Sequence, residues 1–214
     1  MNRKFSIKDL PKIPKGNHEM NCYAEMTVRL AFTDALYLDL IDKPVTKLVS
    51  EEVKRHCIVS YVSVIEVFCK RLVVKYHTKW STAGYNKLLD ANISLNEAYN
   101  LFKELKISRA SIISHYYSFQ NLSAIASIFE RLTNKKILDE IENIRENKND
   151  FTLLETSSEW RTELAKLFEL RHRIIHETSW NLNLKDVDVE RLSLITGSFC
   201  SALYMYCGRT KTFN

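Results

Sequence analysis

The sequence predicts an all-α protein, a bundle of long antiparallel helices. Three observations carry that prediction. Only 4 glycines and 3 prolines stand in 214 residues, so the chain has few places to turn and long helices are favoured over a many-stranded sheet. Apolar residues recur every three or four positions over several long stretches, the period of a helix with one buried face. No segment alternates apolar and polar residues in the manner of a half-buried strand.

Taken in order, residues 1–18 contain Pro11, Pro14 and Gly16 and read as an extended basic arm. Residues 19–214 read as a single helical domain, which suits the length. A first helix is expected from about 20 to 42, with Tyr23, Met26, Leu30, Ala31, Leu36, Leu38 and Ile41 supplying apolar surface and Pro44 ending it. Ser50 is the expected cap of a long helix reaching about Tyr76. Glu51 and Glu52 occupy its first turn, where the helix dipole favours acid, and Val53, Cys57, Tyr61, Val64, Ile65, Phe68 and Leu72 recur at helical spacing. Residues 77–93, with Gly84, form a connector with a short helical piece. Ser94 and Glu97 make a capping box for a helix to about Lys106, and another helix is expected from about 109 to 133. The segment 135–150 begins helical and ends polar. Thr156 and Glu159 cap a helix that carries Leu164, Leu167, Phe168 and Leu170. A loop follows Glu177, and Asp186 or Asp188 starts a last helix ending near Cys207 and Gly208.

The net charge of +5 is unevenly placed. Arg3, Lys4, Lys8, Lys12 and Lys15 against Asp9 put +4 in the first 15 residues, which leaves +1 for the rest. The charge therefore permits an anionic partner without demanding one. Five cysteines, Cys22, Cys57, Cys69, Cys200 and Cys207, form no closely spaced pair. They read as reduced core thiols of a cytoplasmic protein. No run approaches the ~18 apolar residues of a membrane span, and the charged N-terminus lacks the apolar stretch of a secretory signal.

The chemistry concentrates at residues 167–180, LFELRHRIIHETSW. Glu169, Arg173 and Glu177 lie four apart and suit an ion-pair ladder on a solvated helix face. His172 and His176 also lie four apart and share a face. That spacing can hold a metal, but the glutamate of the metalloprotease pattern is missing and no third ligand is marked. No metal and no cofactor are expected. Arg171 and His176 are five apart, about 140° around and ~7.5 Å along an ideal helix. They converge on one target where the helix is ending, or where the long arginine reaches round, and the following loop places a helix end there.

The stretch LRHRIIHE resembles the signature of HEPN domains: an arginine, a polar residue, then a histidine after four to six intervening residues. Arg171, His172 and His176 fill those positions. The resemblance extends to the setting, a core helix ending at the motif, then a variable loop and a closing helix, and covers about 50 residues, 157 to 207. Arg71 with His77 and Arg109 with His115 match the same spacing. Arg171 with His176 is preferred for its helix end, its polar second residue and its closing helix. His77 precedes an aromatic-rich connector, and His115 sits in the aromatic run SHYYSF and reads as a packed core histidine.

What the resemblance implies is a metal-independent endoribonuclease leaving a 2′,3′-cyclic phosphate and a 5′-hydroxyl. Arg171 would bind phosphate, His176 would act as general acid or base, and His172 would position. Some HEPN nucleases orient the motif arginine with an acidic residue on a neighbouring core helix. Glu66, which interrupts the apolar run YVSVIEVFC, is the candidate; its alternative is a surface pair with Lys70. The family further implies RNA as substrate, a homodimer with a composite active site, an antitoxin or regulatory protein as a possible partner, and a role as toxin or antiviral defence effector; no membrane partner is expected, from the absence of a long apolar run. A subgroup of HEPN toxins carries a modifiable tyrosine two residues after the histidine. Thr178 stands there, so regulation by that route is not expected. Trp180 is placed either to stack a base or to anchor its loop. The alternative for the whole chain is a catalytically silent helical interaction or RNA-binding module.

Overall fold

The computed structural model describes residues 22–41, 43–44, 46–89, 108–144, 159–176, 182 and 184–209. Among them the protein is all-helical, a bundle built on one long central helix. Helix α1 spans Cys22–Ile41. Its core face is Cys22, Met26, Leu30 and Thr33, while Ala31, Leu36, Leu38 and Ile41, expected as apolar packing surface, face solvent. Helix α2 spans Lys47–Lys75, about 43 Å at the helical rise. Its cap is Thr46, whose hydroxyl accepts the Val49 N–H at 3.4 Å, so the helix begins a turn before the expected Ser50. Cys57, Ile58, Tyr61, Ile65, Phe68, Cys69 and Leu72 are all buried along it.

Helix α3, Thr82–Leu89, packs on α5, Leu122–Thr133. Gly84 permits this contact, because a Cβ there would meet the Arg131 carbonyl oxygen at 2.1 Å. Helix α4, Arg109–Tyr116, lies between α3 and α5 in the chain. The continuous helix expected over 109–133 is therefore two. The chain leaves helix at Tyr117 and re-enters at Asn121, whose Oδ1 accepts the Ala124 N–H at 2.7 Å. A side-chain acceptor for an otherwise unpaired N–H makes a new helix start there. Helix α6 is Ile137–Glu142, α7 is Trp160–His176 and α8 is Val189–Arg209. Of the two expected starts for α8, Asp188 is the cap: its Oδ1 accepts the Arg191 N–H at 2.9 Å.

The core is α2 packed against α1, α4, α7 and α8. Trp160, Leu164 and Leu167 of α7 and Phe199, Cys200 and Leu203 of α8 are buried there. Asp34 ties three helices, accepting from the Tyr61 hydroxyl at 2.6 Å and the Ser193 hydroxyl at 2.7 Å. Lys79 donates to the Cys207 and Gly208 carbonyls and so satisfies the open end of α8. All five cysteines are buried and free. Burial, with Asp34 adding to it, pushes the Cys57 thiol up to about 11. Among the described residues no helix is long and apolar enough to cross a membrane. The arm 1–18, the Ser94–Glu97 box and Thr156 lie outside the described residues.

Candidate active site

Helix α7 is described over Trp160–His176, and the loop expected after Glu177 lies outside the described residues. Leu164, Leu167 and Phe168 bury its inner face, and Leu170 and Ile174 continue that face, partly buried against the core. On the helix Arg171 is half-buried, and His172 and His176 are exposed. The two imidazole rings stand 4.6 Å apart between centroids, tilted by 44°. Among the described residues no group of three or more His, Cys, Asp or Glu side chains is placed to hold a metal ion.

The Arg171 guanidinium meets an amide rather than a carboxylate. Its Nη1 donates to Gln120 Oε1 at 3.3 Å. Gln120 Nε2 in turn donates to Glu66 Oε2 at 3.4 Å, and Glu66 Oε1 accepts from Lys70 Nζ at 2.8 Å. The amide orientation follows from chemistry: a guanidinium only donates and a carboxylate only accepts, so a glutamine between them must turn its oxygen to Arg171 and its nitrogen to Glu66. Glu66 thus makes the Lys70 pair weighed for it in the sequence directly and touches Arg171 only by way of Gln120. Arg171 Nε is buried without a hydrogen-bond partner, and among the described residues no carboxylate pairs with this guanidinium. Its one described partner is therefore a neutral amide, which leaves the positive charge of the guanidinium uncompensated by any described carboxylate.

Gln120 carries no sequence signal of its own, since the helix expected over 109–133 runs straight through it. The signal beside it is Asn121, an N-cap residue type directly before the apolar positions Leu122, Ile125 and Ile128. Of the expected ladder on α7, one half can be placed and the Arg173–Glu177 half cannot. Among the described residues Glu169 makes no ion pair with Arg173, and Glu177 lies outside them, as do Thr178 and Trp180.

The two competing arginine–histidine pairs have other surroundings. Arg71 ion-pairs with Glu25, which also holds Arg29 at 3.0 Å. His77 Nδ1 lies 3.0 Å from the Val74 carbonyl oxygen in the turn after α2. His115 is exposed rather than packed in the core, with its ring 6.4 Å from that of Tyr116. Helix α4 is only eight residues long and its inward positions are Ala110, Ile112 and Ile113, which leaves His115 on the solvent side. No protein-family description, curated protein or solved structure matches this chain.

Proposed function

We propose that this protein is a HEPN-like, metal-independent endoribonuclease that acts as a homodimer on RNA. The observation that carries the reading is the Glu66–Gln120–Arg171 link, which steadies an arginine with open donors beside two exposed histidines on one helix end. In the reaction one imidazole takes the proton of a ribose 2′-OH. The 2′-oxygen then bonds to phosphorus, and the bond to the 5′-oxygen breaks as a second imidazolium protonates that leaving oxygen. Histidine changes charge near neutral pH and serves in either role. Arg171 binds the phosphate and stabilises the charge that builds on its free oxygens. His176 is the acid or base and His172 positions it. The second acid–base histidine comes from the partner copy, since a twofold axis doubles a site without lengthening the chain. The products are a 2′,3′-cyclic phosphate and a 5′-hydroxyl. In a cell this chemistry serves a toxin or an antiviral defence effector, with an antitoxin as its natural regulator, a step that rests on family analogy alone.

A second reading, a silent helical interaction module, is favoured by one observation: outside the first 15 residues the net charge is only +1. One experiment separates the two. RNA is incubated with the purified protein in excess EDTA and the product ends are analysed. The nuclease reading expects cleavage to persist and to leave cyclic phosphate ends. Cleavage that EDTA stops and a divalent ion restores would remove it, and no cleavage under any condition would favour the interaction module.

A further inference from the structure

His172 and His176 lie one turn apart on one exposed side of α7. Among the described residues no hydrogen bond or ion pair engages either ring, and each has the other beside it, with centroids 4.6 Å apart and planes tilted by 44°. That spacing suits a shared metal ion. An ion sits ~2.0–2.1 Å from an imidazole nitrogen, in the plane of the ring, and so ~3.2 Å from the ring centroid. Two rings on one ion then have centroids roughly 4.5 Å apart when the two bonds make a right angle, and roughly 5.2 Å apart at the tetrahedral angle. The observed spacing falls within that span, near its right-angled end. Ring planes that are not parallel meet along a line, so one ion can take a lone pair from each.

The donor set selects the ion. Among the described residues no third His, Cys, Asp or Glu joins the pair, so water fills the remaining positions. Hard ions such as magnesium and calcium take oxygen-rich surroundings, and two imidazoles do not provide them. Imidazole suits zinc, nickel and copper(II). Arg171 and Arg173 stand on the same stretch of helix and work against a dication. Arg171 is turned toward Gln120. Glu169, exposed, precedes His172 by three positions and His176 by seven, and so adds a carboxylate to the histidine side of the helix.

We infer that the His172–His176 pair binds one divalent transition-metal ion of the zinc and copper(II) class, and that this ion blocks the site rather than serving it. The blocking role rests on the proposed ribonuclease; the binding does not. A histidine with one nitrogen on a metal keeps the proton on its other nitrogen near neutral pH, so a ligated His176 is neither base nor acid. The metal-free protein is then the working form, as a metal-independent reaction requires. The same two rings that offer a proton relay to RNA offer a chelate to an ion, and the two uses exclude each other. The first reading of the test is heat of binding rather than cleavage, so the two proposals fail separately.

The test titrates zinc chloride by calorimetry into the full chain, stripped of metal beforehand, and into His172→Ala, His176→Ala and His115→Ala. The three side chains are exposed, so the fold should survive each change, and circular dichroism confirms it. The wild type and His115→Ala should bind one zinc with a dissociation constant on the order of 1–200 μM, about half the binding free energy of a four-ligand structural site. Each α7 variant should bind at least ~10-fold more weakly, since losing a ligand costs no less than losing the group behind one. Copper(II) should bind more tightly than zinc, and magnesium in large excess should not compete. Zinc binding weaker than about 1 mM overturns the inference. So does a site that persists in both α7 variants, one that His115→Ala removes, or one that magnesium takes. RNA cleavage, followed over the same zinc range, should be halved near the measured dissociation constant and return with EDTA. Cleavage that continues with zinc saturating overturns the blocking role. Zinc bound by a chain without ribonuclease activity leaves the metal site standing and removes the enzyme, and the block with it.

Discussion

Arg71 with His77 and Arg171 with His176 follow the same sequence rule and end in different places. Both arginines sit near the end of a long helix. Arg71 is held by Glu25 from the neighbouring helix, and His77 leans on the Val74 carbonyl of its own turn. Arg171 meets a neutral amide, keeps a buried Nε without a partner, and stands beside two histidine rings open to solvent. A charge already met by its opposite has little left to offer a phosphate. The difference teaches that the motif is a spacing, and that what surrounds the arginine decides whether the spacing is structural or receptive.

The largest effect that sharpens this contrast is on cleavage. Arg171→Ala should slow RNA cleavage by about 10²–10³-fold, the cost of removing a donor from developing transition-state charge, with little change in the thermal midpoint. Arg71→Ala should show the opposite pattern. It should cleave at the wild-type rate and lose about 0.5–1 kcal/mol of stability, since the pair with Glu25 is half-exposed on the arginine side. Equal losses of activity from both would end the distinction.

A smaller effect is expected along the link behind Arg171. Glu66→Gln and Gln120→Ala should each lower the cleavage rate by about tenfold, short of the ~10²-fold cost of a badly misplaced group. Both contacts of Gln120 are long, 3.3 and 3.4 Å, so they steer the guanidinium rather than clamp it. A wild-type rate for both variants would reduce Glu66 to a surface partner of Lys70.

How much of this was legible in the sequence depended on whether the signal was local. The all-helical class, the long α2 and the five buried thiols followed from periodicity, from scarce glycine and proline, and from apolar neighbours. Caps were less secure. Thr46 and Ser50 are both good N-cap residues one turn apart, and the backbone position of Thr46 prevailed. The break at 117–121 is hard to see because residues 112–129 contain no glycine or proline to mark it, and the cap at Asn121 is its one local signal. The outward face of α1 is ambiguous in sequence for a different reason. A helix that is apolar nearly all round does not say which side is inward, and Leu36, Leu38 and Ile41 proved to face water. The Gln120 bridge could not be read locally, since it joins residues 51 and 54 positions away in the chain.

The most direct measurement sets His176→Ala beside His77→Ala and His115→Ala on one RNA substrate, with circular dichroism on each to confirm folding. All three side chains are exposed, so none of the substitutions should unfold the protein. The account predicts that His176→Ala is folded and at least ~10²-fold slower, the usual worth of a positioned acid or base, while the other two cleave at the wild-type rate. A folded, active His176→Ala beside a folded, inactive His77→Ala or His115→Ala would contradict it and move the chemistry to another arginine–histidine pair.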